Sequence, residues 1–139
     1  MRIILITATL LLAGLAGQDG DRVIPAVDPD RVKLELALDP SAILIDVRLK
    51  FEYRRRRIEK SVNLPKKADL DKFAEETPRH RPLYLYCTTE TRARQAAALL
   101  VDHGFLSVYI MEGGLNKWRA YNLPLVKGRK GRYPASSRK

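Results

Sequence analysis

Short unbroken apolar runs alternate along this chain with stretches whose apolar positions recur every three or four residues. Residues 43–47 are apolar except for Asp46, the pattern of a strand buried on both faces of a parallel sheet. Residues 82–86 read as a second strand that stops at Cys87, and residues 107–110 as a third. Residues 22–24 predict a short edge strand, and residues 61–64 a weak strand ended by Pro65. Asp28 followed by Pro29 is an N-cap with proline at the first helical position, opening a helix to about Leu38 with Val32 and Leu36 on one face. One or two helical turns are expected over 49–54, with Arg48 and Glu52 spaced to pair. Residues 68–76 predict a short helix. The strongest helical pattern covers 92–103, with Ala93, Ala96, Ala97 and Leu100 on one face and Gly104 as C-cap. A last short helix follows Gly113-Gly114 and holds Trp118. This alternation predicts an α/β fold, a mostly parallel sheet with right-handed crossovers and helices on both faces. In such sheets ligands bind beyond the carboxyl ends of the strands, where Cys87 falls.

The ends of the chain read differently. Met1-Arg2 and the apolar run 3–16, with small residues at 14–17, resemble an export signal. The run is shorter than a bilayer span, and an uncleaved anchor is the alternative. Gln18 stands where a lipoprotein signal would carry its cysteine. The expected organisation is a signal over 1–17, a linker over 18–21, a domain over 22–126 and a disordered basic tail over 127–139, in a periplasmic or otherwise exported protein. The tail has six Lys or Arg and no acid, and the whole chain carries a net charge of +10. That charge suits anionic partners and says little about fold. A single cysteine excludes an intramolecular disulfide. It is a buried small hydrophobe or a nucleophile, and its position decides.

Position favours chemistry. Cys87-Thr88-Thr89-Glu90-Thr91-Arg92 joins a strand to a helix, starting with a thiol and ending with a guanidinium. Inward-facing backbone N–H groups and a helix start both favour a thiolate over a thiol. Arg92 offers a fork of donors to an anionic substrate.

From about residue 22 to residue 126 the chain resembles the rhodanese family. The residues that carry the resemblance are Ile45-Asp46-Val47-Arg48 with Glu52-Tyr53, and Asn63-Leu64-Pro65. Leu83-Tyr84-Leu85-Tyr86-Cys87, Arg92, Gly104-Phe105, Gly113-Gly114 and Trp118 follow in order. The resemblance implies a rhodanese-like, central, mostly parallel five-stranded sheet. It also implies transfer of sulfane sulfur, from thiosulfate or a polysulfide or persulfide donor to a thiol, through a Cys87 persulfide. Residues Thr88, Thr89, Glu90, Thr91 and Arg92 would line the substrate, with Asp46 and Arg48 in support, and no metal or cofactor is needed. Related cysteine phosphatases and arsenate reductases use a loop one residue longer, which leaves room for a tetrahedral oxyanion.

Two departures matter. Glu90 stands where active members commonly have glycine, and its carboxylate should repel thiosulfate unless Arg92 or Arg94 neutralises it. The family's Gly-His-Ile element is replaced by Arg56-Arg57-Ile58. The alternative function is a catalytically weak rhodanese module that binds a partner or senses thiol oxidation. Residues 54–57, all arginine, are expected as a solvated loop or as an anion-binding rim. Expected partners are a small anionic sulfur donor and a thiol acceptor, not nucleic acid. The tail could touch anionic membrane or an acidic protein, and a monomer is expected. Tyr84, Tyr86 and Trp118 are expected in the core, and His80 and His103 carry no assigned role.

Overall fold

Side chains along the central strands point alternately to two separate cores, and this alternation decides where the cysteine goes. The computed structural model describes residues 23–128. The sheet has five parallel strands, β1 (Ala26–Val27), β2 (Ile43–Asp46), β3 (Val62–Asn63), β4 (Leu83–Tyr86) and β5 (Val108–Met111), in the order β1-β5-β4-β2-β3. Its helices are α1 (Pro29–Leu38), α2 (Lys50–Arg55), α3 (Lys67–Glu76), α4 (Thr91–Asp102) and α5 (Gly114–Ala120). Ile43 and Ile45 of β2 with Val47 just beyond it, and Leu83 and Leu85 of β4 with Cys87 just beyond it, face one core with α3 and α4. Leu44, Tyr84 and Tyr86 face the other with Val32 of α1 and Trp118 of α5. Full burial of each large aliphatic side chain contributes roughly 1.5–3 kcal/mol, so β2 and β4 anchor the molecule.

Local chemistry sets the ends of the elements. The Asp28 carboxylate accepts from the Asp30 N–H at 3.0 Å, so α1 begins as the sequence predicts. Gly104, at φ +91°, lets the chain leave α4 and turn Phe105 into the core. Arg79 closes both α3 and α4. It donates to the carbonyls of Ala74, Thr77 and His103 while its guanidinium lies 4.7 Å from the Phe105 ring centre.

Some expectations move. The first strand is Ala26–Val27 rather than 22–24, and pairing starts only at Pro25, whose carbonyl accepts from Ile110. Proline has no N–H to offer and so marks the strand's start. Arg48 does not pair with Glu52: it is buried and takes the buried Asp46, at 2.6 Å. A buried guanidinium requires a partner that is itself desolvated and close. Arg57 is not splayed outward but buried, bridged to Val126 and lying 5.0 Å from the Tyr53 ring centre. Ordered chain continues past 126: the Gly128 N–H donates to Arg54 and its carbonyl accepts from Arg57. The expected signal 1–17, the linker 18–21 and tail residues 129–139 lie outside the described residues.

Candidate active site

The cysteine loop is short because β4 delivers the chain straight to α4. Cys87 directly follows the last residue of β4, and α4 begins at Thr91. Period-two alternation turns the Cys87 side chain toward α4, and the residue is 1% exposed. Cys87 therefore lies at the carboxyl end of a central strand and not within it.

The backbone of this loop is held from the other side by the first turn of α5. The carbonyl of Cys87 accepts from Leu115 at 2.8 Å, and that of Thr88 accepts from Asn116 at 3.1 Å. The approach is possible because Gly114, at φ +58°, has no side chain. A Cβ there would sit 2.6 Å from the Cys87 carbonyl oxygen and 2.8 Å from that of Thr88, and would overlap that of Thr89. The pair Gly113-Gly114 is legible in the sequence, but its partner across space is not.

Glu90 reaches across to the turn before α5. Its carboxylate accepts from the Gly113 N–H at 2.8 Å and pairs with Arg94 one turn on. The Gly113 N–H and Arg94 hold it below the usual carboxylate range against a modest cost of burial. The charge is thus neutralised by Arg94, and the side chain clasps the cysteine loop to the turn before α5.

Arg92 is half-exposed and held in a fork by Glu52 of α2, Nη1 to Oε2 at 2.9 Å and Nη2 to Oε1 at 3.2 Å. Its Nη2 also donates to the Thr88 hydroxyl at 3.2 Å. Glu52 raises the Arg92 pKa, and Cys87 adds to the effect. Arg92 in turn pulls Glu52 below the usual carboxylate range, helped by the Leu49 N–H. Glu52 is the residue that sequence reasoning missed. It was visible there as part of the family resemblance and as a possible partner of Arg48, but not as the partner of Arg92, which lies forty residues away.

Asp46 lies beside Tyr86 in the sheet, so the end of β2 adjoins the base of the loop. Asp46 and Arg48 form a buried pair, and Arg48 donates onward to the Arg56 carbonyl at 2.6 Å. Asn63 donates to the carbonyls of both Asp46 and Arg48. These bonds fix the segment leading into α2. Thr89 and Thr91 are exposed, while Thr88 forms part of the wall of a cleft of about 450 Å³. Glu52, Leu115 and four arginines line the same cleft.

A thiol at a strand end, a guanidinium locked at the start of the next helix and a loop of this length match one family. The rhodanese-like domain family matches residues 28–121. The chain belongs to the rhodanese-like family. A sulfurtransferase from Allochromatium vinosum is 27% identical over 104 residues, covering 75% of this chain and 96% of that protein. A tRNA uridine(34) hydroxylase from Hamiltonella defensa is 32% identical over 90 residues, covering 58% of this chain. This rhodanese-like chain spans about a quarter of the length of the hydroxylases it matches. Among solved structures, the rhodanese-like domain of the Alr3790 protein from Anabaena superposes with a TM-score of 0.68 at 27% identity, covering 83% of this chain and 88% of that domain. The five-stranded parallel sheet with helices on both faces is the rhodanese-like fold.

Proposed function

We propose that this protein is a sulfurtransferase that carries sulfane sulfur on Cys87. One observation carries the reading: Arg92, locked in a fork by Glu52, also donates to the hydroxyl of Thr88, the residue after Cys87 at the carboxyl end of β4. The Cys87 thiolate attacks the outer sulfur of thiosulfate. A Cys87–S bond forms, the S–S bond of the donor breaks, and sulfite leaves with the bonding pair. An acceptor thiolate then attacks the outer sulfur of the persulfide, departs as a new persulfide and returns the Cys87 thiolate. Covalent catalysis of this kind splits one transfer into two. The guanidinium of Arg92 balances the anion in each half-reaction. The short loop and the similarity to a sulfurtransferase along nearly that protein's whole length support this chemistry. A polysulfide or persulfide donor would follow the same course.

A second reading is a rhodanese-like module that binds a partner or senses thiol oxidation without turnover. The burial of Cys87 favours it. Intact mass after exposure to thiosulfate or polysulfide separates the two. Uptake of one sulfur atom by the wild type and none by Cys87→Ser supports transfer. An unchanged wild-type mass with both donors removes it. Export is part of the proposal, supported by the apolar run 3–16 behind Arg2. A fusion of residues 1–20 to a reporter active only outside the cytoplasm should give signal, and silence there overturns it.

A further inference from the structure

The cleft beside the cysteine loop is walled by more cationic charge than the loop itself uses. Arg55, Arg56 and Arg119 line it from the end of α2 and from α5. All three are exposed, and among the described residues none of them forms an ion pair. Arg48 lines it too, but its charge is already matched by Asp46. The one acid in the wall, Glu52, is matched by Arg92. Three arginines of the cleft wall therefore carry charge that no ion pair among the described residues offsets. Phe51, 66% exposed, adds an apolar surface, and Thr88 marks the end of the cleft next to the cysteine. At about 450 Å³ it falls in the size range of sites for organic ligands and offers far more room than thiosulfate fills.

We propose that this cleft is a second anion subsite, apart from Arg92, that takes an organic thiol or its persulfide whose carboxylate or phosphate groups lie away from the sulfur. The inference rests on the transfer reading of Cys87. With the sulfur directed past Thr88 toward Cys87, the remote acids meet Arg55, Arg56 and Arg119, and the connecting carbons pass Phe51. Planar guanidinium forks suit both carboxylate and phosphate oxygens.

The test separates this subsite from the sulfur chemistry by using the full chain with Cys87→Ser. Calorimetry with S-methylglutathione and with S-methyl coenzyme A asks whether carboxylates or phosphates are preferred, and neither analogue can exchange sulfur. Saturable binding of at least one is expected, weakened roughly tenfold by Arg55→Ala and again by Arg119→Ala. Lys33→Ala, on the exposed side of α1, should leave binding unchanged. An S-methyl thioether without acidic groups should not bind. Absence of binding by both analogues overturns the proposal, as does binding indifferent to both arginine substitutions. Occupancy of the same arginines by single-stranded RNA but by neither analogue also overturns it. If wild type takes sulfur from thiosulfate while both analogues fail, only the subsite falls. If the analogues bind as expected but no donor loads Cys87, the cleft stands as a binding site and the transfer chemistry falls.

Discussion

At the scale of single residues, two glutamates do the work of positioning. Glu52 holds the guanidinium of Arg92, and the pair is partly open to solvent, so its worth to stability is at most about 1 kcal/mol. Its worth to function lies in orientation. Glu52→Gln should raise the KM for thiosulfate roughly fivefold, about 1 kcal/mol of lost binding, with a much smaller change in kcat and only a few degrees in Tm. Steady-state kinetics with a melting curve checks this, and an equal fall in kcat would mean that Glu52 acts on the chemical step. Glu90 ties the cysteine loop to Gly113, and its pKa is held down there. A carboxylate depressed in the folded state adds stability above its unfolded pKa and loses it as the pH falls through the folded value. Wild type should therefore be more stable than Glu90→Gln at pH 7, and the gap should close as the pH falls from neutral through the acid range below the ordinary glutamate pKa of about 4.3. Denaturant melts at both ends of that range measure the gap.

At the scale of elements, the decisive contact is the first turn of α5 against the loop after β4. Two backbone hydrogen bonds and the Glu90 clasp join them, and Gly114 makes the approach possible. Gly114→Ala adds a methyl group to a left-handed residue, costing roughly 1–2 kcal/mol. It also drives that methyl into three carbonyl oxygens, costing roughly 1–3 kcal/mol more if the loop yields. The expected outcome is a large loss of stability together with loss of sulfur loading on Cys87, read by calorimetric melting and by intact mass. A variant that melts like wild type would show that α5 does not support the loop. Elsewhere α5 is tied to the start of α1, where the Tyr121 hydroxyl and the Lys117 ammonium both reach Asp28.

At the scale of the whole molecule, charge governs approach. The chain carries +10 net, and the cleft next to Cys87 concentrates arginine. Such a field raises the local concentration of anions and is screened by salt, with a Debye length of about 8 Å at physiological ionic strength. Raising the salt from low to molar concentration should increase the KM for thiosulfate several-fold. It should leave a neutral polysulfane donor nearly unaffected. Initial rates for the two donors over a salt series provide the measurement, and a parallel response of both would place the salt effect on the protein itself.

Sequence alone determined the alternation of strand and helix, because apolar periodicity and the Asp28-Pro29 and Gly104 signals are local. It also placed Cys87 at a strand end and Arg92 in the first turn of the next helix, since β4 and α4 are adjacent in the chain. It could not find the edge strand at Ala26–Val27, two residues long and defined only by pairing with β5. Nor could it choose partners for charges. Arg48 has Asp46 and Glu52 at suitable spacings, and burial settled the choice for Asp46, leaving Glu52 to Arg92. The charge of Glu90 read as a threat to the anion until folding brought Gly113 against it, twenty-three residues away. The four arginines at 54–57 are alike in sequence. Tertiary packing buried Arg57 against Tyr53 and turned Arg55 and Arg56 into a cleft. Periodicity is a property of neighbours along the chain, whereas desolvation and charge pairing belong to neighbours in space, so folding decided which charges were matched and which were left for a ligand.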